Sequence, residues 1–290
     1  MACVSFGGVD SSASYNVASS RRVSTMPTSK QLAAIEQYSP STFTGLEDLN
    51  RLVQIHYDRL QNKDFTAQYL SVKGVSPRVF DLIESRRHVF GVGVRFTYFT
   101  DISTLIIKVV TEIHERAHLN LAEEVVHLRR NMNLQRAECQ PLGTSRYAGT
   151  NGSNEGDSTF RNRLIRPNDG DWPSLVIEAG YSESLPKLRK DVEWWIGTSA
   201  GQVKIVILIK VSPTVKRLSI EKWVPRQPPR NSEGELVSTI KIDGSTNPAT
   251  IDGAPLVLEF DRVCLRAPNP PEADFIFTQQ DLINYARDLW

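Results

Sequence analysis

Three acidic residues of this chain stand where a folded core would not hold them without a partner. Asp157 lies in a Gly- and Ser-rich turn, Glu155-Gly156-Asp157, and Glu178 ends the apolar run Leu175-Val176-Ile177. An ionised carboxylate at the end of a buried strand is costly unless it binds something, and hard divalent cations are a usual partner. The third, Glu115, belongs to His114-Glu115-Arg116-Ala117-His118, an H-E-x-x-H pattern. On a helix, histidines at i and i+4 can hold zinc from one side while the glutamate activates a water. A third zinc ligand would have to come from elsewhere, with Glu138 or His127 as candidates. Ordinary roles compete with each of these. A turn aspartate caps its own backbone, Glu178 can pair with Arg189 or Lys204, and a helix histidine is commonly buried and hydrogen-bonded.

The elements that must carry these residues can be read from hydrophobic periodicity. Ile113 to Leu134 reads as a long helix with one apolar stripe at Ile113, Ala117, Leu121, Val125, Leu128 and Met132 and a second at Leu119, Ala122 and Val126. His114 falls at the edge of the first stripe and Glu115 on the second, which argues for a core helix rather than the floor of a zinc-protease cleft. Strand Leu175–Ala179, helix Leu185–Ile196 and strand Val203–Val211 follow at the spacing of a parallel βαβ unit. Upstream, Thr44-x-x-Glu47 reads as a capping box and Ser76-Pro77 as a second helix start. Val89 to Val110 reads as a hairpin turning near Asp101-Ile102-Ser103. Val215 to Val263 alternates strand-like runs with turns, and Thr278 caps a closing helix that runs to Trp290. Four regions result: a disordered Ser-rich tail (1–28), a helical region (29–88), an α/β core (89–212), and hairpins plus a helix packed on that core (213–290).

Composition bounds the function classes. With 290 residues and 40% apolar content the chain can bury a sizeable core. A formal charge of +1 makes no global electrostatic case for nucleic acid, although a local basic groove remains compatible with it. Three widely spaced cysteines with no CxxC pair point to a reducing compartment, hence an intracellular protein of nucleus or cytoplasm. No apolar run has the length of a membrane span, so no membrane is expected. Gly91-x-Gly93 lacks a third glycine and a following helix, so no small organic cofactor is expected either.

The order helix, strand, strand with Asp, strand with Glu, helix, strand resembles the core of the restriction-endonuclease-like PD-(D/E)XK phosphodiesterase superfamily. The residues that carry the resemblance are Gly156-Asp157-Ser158-Thr159-Phe160 and the stretch from Trp172 to Ser182. Trp172 to Val211 also resembles a widespread, uncharacterised fungal family of that fold. The resemblance spans roughly residues 95–212. It implies a helix, mixed β-sheet, helix core and divalent-metal hydrolysis of DNA. Asp157 and Glu178 would hold Mg²⁺ or Mn²⁺, and Glu115 would match the helix glutamate that some members add to the metal shell. The superfamily's lysine, two residues after the glutamate, is replaced here by Gly180. Some members move that cation to the following helix, which makes Lys190 the candidate, with Lys204 behind it. Two alternatives stand beside a nuclease: an inactive descendant of the fold used for binding or assembly, and a zinc protease through His114, Glu115 and His118.

Overall fold

Among the described residues, two mixed β-sheets, a two-stranded hairpin and six α-helices form an α/β architecture. The computed structural model describes residues 40–181, 185–227 and 233–290. The tail expected over 1–28 lies outside them, as does the middle of the turn between Pro225 and Gly234. No helix among the described residues is long and apolar enough to cross a membrane.

The first sheet runs in the order β1 (Ser41–Thr42), β2 (Tyr69–Lys73), β4 (Thr104–Val109), β3 (Val94–Phe99), β7 (Gly152–Glu155), β6 (Arg146–Gly149). Helices α1 (Leu46–Gln61) and α2 (Pro77–Ser85) pack on one of its faces, where Leu49, Val53, Phe80 and Ile83 join Phe96, Leu105 and Ile107 in one core. β3 and β4 are the expected hairpin, closed through Thr100–Ser103 with Ser103 at positive φ. The Ser76 cap forms as read, its Oγ accepting from Val79 N. The Thr44–Glu47 box does not. Gly45 takes the N-cap position with no side-chain cap, and Thr44 Oγ1 donates to Asp48 at 2.7 Å. β2 was not anticipated. Its five residues, Tyr-Leu-Ser-Val-Lys, are too short to show a period, and their strand state comes from pairing with β4.

The second sheet is ordered β13 (Thr250–Asp252), β12 (Gly234–Asp243), β11 (Arg217–Pro225), β10 (Ile205–Ser212), β9 (Leu175–Gly180), β8 (Ser158–Arg161), β5 (Gln140–Gly143). β9 and β10 pair in parallel, joined through α4 (Leu185–Thr198). Both strands are continuous apolar runs because both sheet faces are covered. On one face Leu175, Ile177 and Ala179 meet Ala117, Leu121 and Val125 of α3 (Glu112–Asn131). On the other, Val176, Val206 and Leu208 meet Leu188, Val192 and Trp195 of α4. Thr111 caps α3, with Glu112 and Glu115 in the first turn and Arg129 and Arg130 in the last, as the helix dipole favours. The second apolar stripe of α3 is only partly used: Ala122 is buried while Leu119 is exposed. β14 (Leu256–Leu258) and β15 (Phe275–Phe277) form a small separate hairpin, with α5 (Phe260–Cys264) between them in sequence. The closing helix α6 (Gln279–Leu289) carries a Thr278/Asp281 capping box and packs on α3.

Candidate active site

The chain passes between the two sheets at three places: through α3 from β4 to β5, at Thr144-Ser145 between β5 and β6, and at Gly156-Asp157 between β7, which ends at Glu155, and β8, which opens at Ser158. A Cβ at Gly156 would lie 2.7 Å from Thr159 Cγ2 and 3.2 Å from the Trp195 ring, which is why this last crossing needs glycine. The two acids beside it have different fates. Glu155 is closed off: Arg87 and Arg146 donate to it, and so does Phe96 N at 3.2 Å.

Asp157 faces the second sheet. β8 accompanies β9 only as far as the pair Ser158↔Ile177, which leaves the backbone of Ala179 to find other partners. Asp157 Oδ2 accepts from Ala179 N at 2.9 Å, and Lys108 Nζ donates to Ala179 O at 2.8 Å. The same Oδ2 accepts from Lys108 Nζ at 3.2 Å and lies 3.0 Å from His114 Nε2. Oδ1 is buried with no hydrogen-bond partner among the described residues, and Arg95 Nε lies 3.7 Å from it. Burial alone would raise this carboxyl. The charges of His114 and Lys108 outweigh it and hold Asp157 well below the usual carboxylate range.

Glu178 points to the opposite face of β9, toward α4. It is 4% exposed, and Trp195 Nε1 donates to its Oε1 at 2.6 Å. Arg189 pairs instead with Glu221, and Lys204 donates to Gly201 O, so neither ion pair weighed for Glu178 forms. Burial, then the negative charges of Asp157 and Asp191, push its carboxyl well above the ordinary value. Asp157 and Glu178 meet at a pocket of ≈ 20 Å³, shared with Asp191, Lys108, Arg95 and Glu155. That volume suits one water or one small cation.

The remaining sequence candidates lie apart from this pocket. Glu115 is 32% exposed and lines a neighbouring groove of ≈ 700 Å³ together with Arg95 and Arg116. Arg95 Nη2 donates to it at 2.8 Å. Burial would raise the Glu115 carboxyl, but His114, His118 and Arg95 hold it below the usual range. His114 and His118 are fully buried and line neither cavity, so the open cleft of a zinc protease is not formed at them. Glu138 is bound by Arg266 and His127 by Asn131, away from both. Lys190 pairs with Glu193 one turn further along α4 and does not line the small pocket.

Gly180 has a local cause. A Cβ there would lie 2.6 Å from Leu188 Cδ1, 2.7 Å from its Cδ2 and 2.9 Å from Cγ, so the core leucine of α4 occupies the room a side chain would need. A cation hydrogen-bonded to Asp157 is Lys108, reaching in from β4 of the other sheet, with Arg95 of β3 further off. The sequence did carry a sign of it: Thr104-Leu-Ile-Ile-Lys108-Val is an apolar run with one lysine, and a lysine buried in such a strand needs an anion. What sequence reading lacked was the contact between sheets that supplies Asp157.

No protein-family model matches the chain, and no curated protein matches it in sequence. Among solved structures, the chain is similar to a putative nuclease belonging to DUF820 from Anabaena variabilis, at 12% identity and a TM-score of 0.38. The match covers 62% of this chain and 87% of that one.

Proposed function

We propose that the chain is a metal-dependent phosphodiesterase acting on DNA, built on a restriction-endonuclease-like PD-(D/E)XK core and related to the fungal branch of that superfamily. The observation that carries the reading is the small pocket between Asp157 and Glu178 with Lys108 beside it. The donor set suits Mg²⁺ or Mn²⁺: hard carboxylate oxygens, one of them, Asp157 Oδ1, buried and unpartnered among the described residues. Asp157 and Glu178 would hold the ion, which when bound supplies a polarised water and charge stabilisation at the phosphate. The chain's own contributions are distinct from that. Asp157 is kept ionised by Lys108 and His114, and so stands ready as a ligand. Lys108 takes the part that the superfamily gives to a lysine after the glutamate, placing a positive charge next to the reacting phosphate. Trp195 orients Glu178 from behind. Lys190, tied to Glu193, has no part in this arrangement, and Glu115 acts through Arg95 at the rim.

One observation favours the inactive-descendant reading: Asp157 Oδ2 already has three partners, Lys108, His114 and Ala179 N. Plasmid cleavage in Mg²⁺ or Mn²⁺ separates the two. The nuclease reading expects nicking by the full chain that falls at least about 10³-fold in Asp157→Ala and in Glu178→Ala, the scale set by losing a metal ligand and its charge stabilisation. Nicking that survives both substitutions sinks the site. A clean, folded wild-type protein that binds DNA and never nicks it gives the binding role the field.

A further inference from the structure

Next to the acidic pocket, three donors on α3 converge on one another. Each of the two buried histidines has one ring nitrogen committed to the start of β8. His114 Nε2 lies 3.0 Å from Asp157 Oδ2, and His118 Nδ1 lies 2.8 Å from Ser158 Oγ. These contacts fix both rings and leave the other nitrogens facing Glu115. His114 Nδ1 is 3.3 Å and His118 Nε2 is 3.4 Å from Glu115 Oε1. His118 Nε2 is buried and has no hydrogen-bond partner among the described residues. One donor atom from each of the three residues lies within 4.8 Å of the others.

We infer that His114 Nδ1, His118 Nε2 and the Glu115 carboxylate form a first-row transition-metal site, with Zn²⁺ as its natural occupant, distinct from the Asp157–Glu178 pair. Two of the three separations are those of ligands around one ion: tetrahedral ligands about 2.0–2.1 Å from zinc stand about 3.3 Å from one another, against 3.3 and 3.4 Å for the two nitrogen–oxygen pairs here, while the two nitrogens lie within 4.8 Å of each other and would close up on binding. The donors are two imidazoles and one carboxylate, a set that suits zinc over the hard cations. The surroundings fit as well. A metal-bound histidine ordinarily gives its second N–H to a carboxylate or another fixed oxygen, and here both histidines are already held that way, by Asp157 and Ser158. Glu115 Oε1 thus stands within ion-pair distance of one nitrogen of each ring, and the buried Nε2 of His118 makes no hydrogen bond with well-formed geometry among the described residues.

Three protein ligands leave a fourth position, the arrangement of an open site rather than a closed structural one. Glu115 is the ligand that reaches the ≈ 700 Å³ groove, so the open position lies toward that side, beside Arg95 and Arg116. The site also touches the acidic pocket chemically. An ion on His114 Nδ1 fixes the proton on Nε2, and with it the hydrogen bond to Asp157 Oδ2. Zinc occupancy would thereby set the orientation of Asp157 from the far side of the ring.

Metal binding without any substrate tests this, so it stands or falls apart from the nuclease reading. The full chain, stripped with a chelator, is titrated with Zn²⁺ by calorimetry and with Co²⁺ by visible absorption. The expected result is one equivalent bound at micromolar or tighter affinity, with the intense visible bands of tetrahedral Co²⁺. Affinity should fall at least about 100-fold in His118→Ala. It should fall about 10–100-fold in Ser158→Ala, which removes an outer partner and no ligand, and be unchanged in Glu178→Ala. Failure of the wild type to bind an equivalent overturns the site whatever the variants do. Wild-type affinity retained in a folded His118→Ala protein overturns it too. Binding lost in Glu178→Ala and kept in His118→Ala places the ion at the carboxylate pair and likewise overturns it.

Discussion

Glu178 and Glu221 are near twins in position. Both register opposite Leu208 of β10, from β9 on one side and β11 on the other, so they stand in one row on one face of the second sheet. They are 4% and 2% exposed, and both look toward α4. Their partners differ completely. Glu221 is gripped by Arg189 from α4 through two bonds, at 3.0 and 2.6 Å, and accepts a third from Trp223 Nε1. Glu178 receives a single neutral indole N–H among the described residues, and the two acids near it, Asp157 and Asp191, outweigh the one cation, Lys108, that favours its charge. A buried carboxylate given a fork of positive charge is part of the scaffold. One left with a lone neutral donor, next to like charge, is destabilising when ionised in the folded chain, which is the position expected of the metal ligand proposed for Glu178.

The contrast can be broken from either side. The largest effect is expected at the cation of the pocket: Lys108→Met should cut divalent-metal plasmid cleavage by about 10²–10³-fold, while Lys190→Ala changes it less than about twofold. Equal losses in the two variants would return the cation's role to α4. Next comes Glu221→Ala, which strands Arg189 and Trp223 and should cost about 1–3 kcal/mol in urea unfolding. Cleavage by the folded fraction should stay intact, and a loss of turnover without loss of stability would make Glu221 part of the site. Gly180→Ala should cost about 1–3 kcal/mol by crowding Leu188. A neutral result would mean that Leu188 yields easily and that packing is not what keeps lysine from position 180.

The smallest effect is the most diagnostic. The folded-state pKa of Glu178 is raised above the ordinary 4.5, so the folded chain holds a proton that the unfolded chain has already released. Its contribution to stability is fully present below 4.5 and declines as pH rises through the window up to the raised value. Glu178→Gln should therefore raise the melting temperature at neutral pH and flatten its fall across that window. Asp157 runs the other way: its pKa is depressed, and its contribution is lost only as pH drops below about 3.8. A Glu178→Gln protein that melts lower than wild type at pH 7 would show that Glu178 is a scaffold acid like Glu221 after all.

What could be read from the sequence follows from how local each signal is. The βαβ unit and the long α3 helix were legible because their apolar periods run over many residues and their caps lie within a turn. Glu178 stood out because it interrupts such a pattern, and Asp157 because it sits in a Gly- and Ser-rich turn. Lys108 did not stand out, since its neighbours depend on which strands of the two sheets come to lie together. Asp191 did not either: it is one more charged residue on α4, beside Lys190 and Glu193, with no local sign that it faces the pocket. Thr44 misled for a related reason: its hydroxyl found Asp48 four residues on, and the helix began one residue later than the motif implied.

The rung at Ala179 has one more consequence. Asp157 Oδ2 stands in for the missing strand by capping the Ala179 amide, and the other oxygen of the same carboxylate is the unpartnered one. Any movement of Asp157 further into the pocket therefore loosens the edge of β9 at Ala179. Local opening of the backbone at Ala179 and engagement of the proposed site would then be one event.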